Sequence, residues 1–93
     1  MSSSPPARIF TICNRRGLHA RSSAKFVKCV AEFDAEVKVS RDGQEVSGAS
    51  IMGLLMLGAA KDSEIEVSAE GPDAEAALDA LEALVSGGFG ENE

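Results

Sequence analysis

Two apolar periods alternate along the chain, and each switch between them marks an element. "ARIFTIC" (residues 7–13) is rich in β-formers and reads as a first strand. Its apolar residues Ile9, Phe10, Ile12 and Cys13 lie on both parities, so the pattern leaves its buried face open. "NRRG" is a loop in which Gly17 supplies backbone freedom. From Ala20 the period turns helical, with Ala20, Ala24, Val27 and Ala31 at i, i+4, i+7 and i+11 and Val30 beside them. "AEVKVS" then alternates, Ala35, Val37 and Val39 against Glu36, Lys38 and Ser40. "RDGQ" is a hairpin signal, because Asp42 and Gly43 suit positive φ, and "EVS" is the partner strand.

The second half adds two helices and one strand. "SIMGLLML" reads as a short helix with Ser50 as N-cap. "SEIEVSAEG" alternates again, Ile65, Val67 and Ala69 against Glu64, Glu66, Ser68 and Glu70. "DAEAALDALEALV" is an amphipathic helix capped by Asp73, with Ala77, Leu78, Leu81, Leu84 and Val85 opposite Glu75, Asp79 and Glu82. The order is β-α-β-β-α-β-α. Strands with one apolar and one charged face call for an antiparallel sheet with helices on one side and water on the other. The expected class is α+β: an open-faced β-sandwich, a four-stranded antiparallel sheet with three helices on one face. Residues 1–7 are expected as a disordered leader, 8–86 as the domain and 87–93 as a flexible tail.

Composition narrows the function. Ninety-three residues, 44% hydrophobic and 26% charged, fit one small globular domain. Residues 1–31 carry Arg8, Arg15, Arg16, Arg21, Lys25 and Lys28 and no acid, a local charge of +6. Residues 32–93 set Lys38, Arg41 and Lys61 against all 15 acids, which gives −12. A basic patch on an acidic body repels nucleic acid at long range but suits one localised anion or an acidic partner. Cys13 and Cys29 lack metal-ligand spacing and read as reduced, buried small hydrophobes, so no metal or cofactor is expected. The N-terminus has no signal-peptide apolar region, and the longest apolar run is too short to cross a bilayer. A cytoplasmic protein with no membrane insertion is expected.

The only histidine, His19, stands where loop becomes helix, among four cations and no nearby acid in sequence. A helix N-terminus offers free N–H groups and partial positive charge. Together with Arg21 it would disfavour a protonated ring and leave a nucleophilic nitrogen. A phosphoryl group accepted there would meet those N–H groups and the arginine. A lone histidine at a helix start also fits a surface or capping role, and the residues by themselves leave both readings standing.

"GLHAR", followed by a basic amphipathic helix, and "SIMGLLMLGAAK" about 30 residues later closely resemble HPr, the histidine-containing phosphocarrier family of the bacterial phosphoenolpyruvate-dependent phosphotransferase system. The resemblance runs from Phe10 to Val85. It implies that His19 is phosphorylated on Nδ1 by phospho-Enzyme I and passes the group to a histidine of an enzyme IIA domain. It implies that Arg21 contacts the phosphoryl group; Ala20, Ser22 and Arg16, beside it in the sequence, are expected as further candidate phosphate contacts. It implies that Ser50 matches the serine modified by an ATP-dependent HPr kinase/phosphorylase in bacteria that have one. The family's proteins are carriers in sugar transport and regulation, without turnover of their own, and a monomer is expected here.

Ser22 departs from the family pattern, which has proline there. Serine restores an N–H and adds a hydroxyl, an extra donor for phosphate, at the cost of a looser helix start. Such variants look like the regulatory, nitrogen-type branch. In "SIMGLLML", Leu54 and Leu57 are placed for the core, and Ile51, Met52 and Leu55 face outward as a docking stripe beside Arg21 and Lys25. Burial on every side, with Ser50 as a plain cap, is the simpler reading of that helix. The competing function is a regulatory interaction module that acts through this surface and Ser50, with His19 incidental.

Overall fold

The computed structural model describes residues 5–91. Its strands are β1 (Ala7–Thr11), β2 (Glu36–Arg41), β3 (Gln44–Ser47) and β4 (Glu64–Glu70). Its helices are α1 (Ala20–Val30), α2 (Ile51–Leu57) and α3 (Ala74–Ser86), followed by a single 3-10 turn at Gly88–Gly90. The sheet order is β1-β4-β2-β3, antiparallel throughout. Phe10 stands opposite Ile65, and Val39 opposite both Val67 and Val46. Phe10, Val37, Val39, Ile65, Val67 and Ala69 are buried, whereas Ile9, Lys38 and Glu66 are exposed. One face of the sheet therefore carries the core and all three helices, and the other meets water. The expected open-faced β-sandwich and its antiparallel four-stranded sheet are the fold observed.

Several local expectations change. The buried stripe of α1 is Ser22, Ser23, Phe26 and Val30, while Ala20, Ala24 and Ala31 are exposed and Val27 is half-buried. Phe26 gains far more from burial than any alanine, so it sets the rotation of the helix. β1 is two residues shorter than the apolar run, and its inward residues are Phe10 and, just beyond, Ile12. Both cysteines are free, but Cys13 is exposed and Cys29 only partly covered, so neither is the buried hydrophobe expected. Asp73 occupies the N-cap of α3 without capping it. Its Oδ2 accepts from the Asp34 N–H at 2.8 Å and ties the α1–β2 loop to the start of α3. Ser50 does cap α2, accepting from the Gly53 N–H at 2.9 Å, and Arg41 donates to the Leu57 carbonyl at the other end at 3.1 Å.

The ends of the domain also differ from expectation. Pro6 accepts from the Ala69 N–H and Ala7 opens β1, so the described part of residues 1–7 is docked on the sheet. Residues 87–91 are ordered against the body, since Phe89 is 1% exposed and joins the core. Phe89 sits at φ +58, a conformation that a bulky residue keeps only when its surroundings hold it there. Residues 1–4 and 92–93, part of the expected leader and tail, lie outside the described residues.

Candidate functional site

The loop before α1 is built to hold one ring. Gly17 adopts φ +67, and a Cβ on it would come within 2.3 Å of the Ala59 carbonyl oxygen. That approach lets the Leu18 N–H donate to Ala59 at 2.9 Å, while the Leu18 side chain enters the core. The histidine loop is thus fixed to the segment that leaves α2. Asn14, 2% exposed, closes the turn by donating from Nδ2 to the Gly17 carbonyl at 2.8 Å.

His19 is itself the N-cap of α1. Its Nδ1 accepts from the Arg21 N–H at 3.3 Å. Its own N–H donates to Ser22 Oγ at 2.9 Å, which completes a capping box. The Ser22 hydroxyl donates to the Gly17 carbonyl at 2.8 Å and lies 3.2 Å from the His19 carbonyl. Ser22 is fully buried. It therefore faces the loop and not the cleft, which removes it from the phosphate contacts expected of it. The helix start it was expected to loosen is instead held by two hydrogen bonds of its hydroxyl.

A carboxylate completes the setting. Glu91 Oε2 lies 2.6 Å from His19 Nε2, and Glu91 Oε1 accepts from Asn14 Nδ2 at 3.0 Å. An ionised carboxylate only accepts and a backbone N–H only donates, so Nε2 carries the proton and Nδ1 keeps a lone pair. Burial alone would push the Glu91 carboxyl up. The hydrogen bonds from Asn14 and His19 and the charge of Lys25 outweigh it and hold the group below its usual range. The sequence window around His19 contains no acid, and Glu91 lies 72 positions away, so local spacing carries no signal for this contact. Only the Gly-Phe-Gly at 88–90, an unusual pattern for a frayed tail, hints at a folded turn.

Around the ring lies an open cleft lined by Arg15, Arg16, Arg21, Lys25, Gly90 and Glu91. The Lys25 ammonium donates to the Phe89 carbonyl at 2.7 Å and fastens the chain end to α1. Arg16 and Arg21 are exposed. Ala20 begins the helix, where N–H groups lack intrahelical acceptors. Arg8, counted among the basic residues of the sequence, belongs elsewhere: it pairs with Glu75, Asp79 and Glu82 of α3. On α2, Ile51, Met52 and Met56 are exposed at 41%, 68% and 66%, while Leu55 is half-buried and Leu54 and Leu57 are buried. Met56 therefore contributes more to the outward stripe than Leu55. Among the described residues no group of His, Cys, Asp and Glu is arranged to hold a metal ion, and no helix is long and apolar enough to cross a membrane.

A sequence model described as the PTS HPr component phosphorylation site matches residues 7–87. The phosphocarrier protein HPr of Cupriavidus necator is 47% identical over 89% of this chain and 93% of its own. The phosphocarrier protein NPr of Shewanella violacea is 45% identical over 90% of this chain and 92% of its own. The crystal structure of HPr from Thermoanaerobacter tengcongensis superposes with a TM-score of 0.90 at 38% identity, covering 95% of this chain and 99% of that one.

Proposed function

Because the chain belongs to the HPr family of phosphotransferase-system phosphocarriers, we propose that His19 is its phosphoryl acceptor, charged by phospho-Enzyme I and discharged to a histidine of an enzyme IIA-type domain. The observation that carries this reading is the Nδ1 lone pair, turned to the N-terminus of α1 at 3.3 Å from the Arg21 N–H in a cationic cleft. In the transfer the donor's P–N bond breaks and a P–Nδ1 bond forms, with no proton to remove from Nδ1. The phosphoryl oxygens bring nearly two negative charges. They meet the Ala20 and Arg21 N–H groups, the Arg21 guanidinium and, beside it, Arg16. The group leaves by the reverse step onto the acceptor's histidine, so the chain carries a covalent phosphohistidine and has no turnover of its own. The relatives named HPr and NPr are nearly equal in identity, and the proposed role is the one common to both.

Exposed Ile51, Met52 and Met56, with Leu55 at their edge, form the proposed docking patch on α2, which packs against α1, the helix that carries Arg21 and Lys25. An acidic surface on Enzyme I or an enzyme IIA-type domain complements those cations, and the methionines adapt to more than one partner. Ser50 borders the patch. Its phosphorylation by an HPr kinase/phosphorylase would place new negative charge there and repel acidic partners. The carrier works in the cytoplasm as a monomer. Incubation with Enzyme I and phosphoenolpyruvate is expected to give an acid-labile, base-stable phosphoprotein that His19→Ala does not form. Equal labelling of His19→Ala would refute the assignment. Partner binding that survives His19→Ala but fails in Ser50→Asp would favour a regulatory module instead.

A further inference from the structure

We propose that Glu91 is a positioning residue for His19: its carboxylate takes the Nε2–H hydrogen bond and so leaves the Nδ1 lone pair free to attack phosphorus, an inference that rests on the phosphocarrier reading of the site. The short 2.6 Å contact between Glu91 Oε2 and Nε2 is one of several constraints on the residue. Asn14 Nδ2 holds the other carboxylate oxygen at 3.0 Å and the Gly17 carbonyl at 2.8 Å. One buried amide thereby links the chain end to the turn that presents the ring. Two residues earlier Phe89 is anchored in the core, and its carbonyl accepts from Lys25 of α1 at 2.7 Å. The Glu91 side chain is only 10% exposed, so water competes weakly for it.

The contact acts at two moments of the transfer. Before it, the Nε2–H tautomer is the one that can react at Nδ1 without losing a proton, and an orienting carboxylate selects it. During it, the P–Nδ1 bond forms at the expense of the donor's P–N bond while Nε2 keeps its proton. The ring then gains a positive charge. Glu91 lies against that charge, on the ring edge away from the phosphoryl group, so it stabilises the developing imidazolium without contacting the oxygens.

The test compares the full chain with Glu91→Ala and Glu91→Gln. Nitrogen-15 NMR of the His19 ring, in the absence of any partner, reads the tautomer. The same three proteins are then phosphorylated by Enzyme I and phosphoenolpyruvate. The intact chain is expected to show an Nε2–H tautomer with a slowly exchanging, downfield ring proton. Glu91→Ala is expected to lose that proton signal and to be phosphorylated roughly tenfold more slowly or worse, a wrongly set tautomer in a carboxylate-oriented imidazole being able to cost as much as ~10⁴. Glu91→Gln, which keeps one acceptor oxygen, is expected to recover part of both. Ring shifts and proton exchange unchanged in a folded Glu91→Ala would overturn the proposal. Absence of phosphorylation in the intact chain would instead overturn the carrier reading, and the ring signals would still decide what Glu91 does.

Discussion

Ser23 is completely buried in α1, and its hydroxyl has no hydrogen-bond partner among the described residues. An unsatisfied buried polar group is a net loss. Ser23→Ala is therefore expected to raise stability by about 1 kcal/mol in denaturant titration; a loss of that size would show that the hydroxyl has a partner after all. Glu91 gives a prediction of opposite character. Its carboxyl is held low against the opposing push of burial, by the hydrogen bonds of Asn14 and His19. The unfolded chain thus binds that proton at a higher pH than the folded one. The resulting stability is present above the usual carboxylate range and is lost as pH falls through the lowered folded value. Acid titration of folding is expected to lose this component in Glu91→Gln, leaving a shallower slope below about pH 4.5; coincident curves would contradict it. Ser22 shows how far residue-level reading reaches. The sequence makes it visible as a departure from the family's proline. It does not reveal that the hydroxyl turns inward to Gly17, because that direction depends on a loop path closed by Asn14 and Ala59.

At the scale of elements, the strands were legible because a period of two has only one alternative register, and Val37, Val39, Ile65, Val67 and Ala69 all fall on the buried face. The hairpin was legible for a local reason as well: Asp42 and Gly43 take φ +52 and +82. The buried stripe of α1 lies about one position from the apolar period of its sequence, because alanines and serines differ little in size and the single large residue, Phe26, decides the packing. The C-terminal turn leaves only the faint Gly-Phe-Gly signal at 88–90, for its anchor is a tertiary contact made by one aromatic residue flanked by glycines. That anchor is testable. Phe89→Ala is expected to release residues 87–91, seen as loss of amide protection there. Its stability cost should fall at or below the lower end of the roughly 3–5 kcal/mol typical of buried phenylalanine, since a short turn held by few contacts can detach rather than leave a cavity. Protection that persists in a stable Phe89→Ala would show that Lys25 and Glu91 hold the turn without the ring.

The whole molecule separates its charge. The cleft gathers Arg15, Arg16, Arg21 and Lys25 on a chain of net charge −6. Arg8, removed from that group by its three carboxylate partners, anchors β1 to α3 instead. Such a molecule is oriented by an acidic partner before contact. The rate of phosphorylation by Enzyme I is accordingly expected to fall steeply between low and physiological salt, and Arg16→Ala to flatten that dependence. A salt-independent rate would mean that the apolar α2 patch governs the encounter alone. The overall fold and the histidine were both open to sequence reading, since each is carried by periodicity or by a compact motif. The carboxylate at His19 was not, because closing a site from residues 19 and 91 requires the sheet and three helices to be in place. The central claim is that His19 carries the phosphoryl group on the nitrogen facing the helix N-terminus. It is tested most directly by phosphorus-31 and nitrogen-15 NMR of the chain after reaction with Enzyme I and phosphoenolpyruvate. The account predicts a single phosphohistidine bonded through Nδ1 of His19; a phosphoryl group on Nε2, or on any other residue, would contradict it.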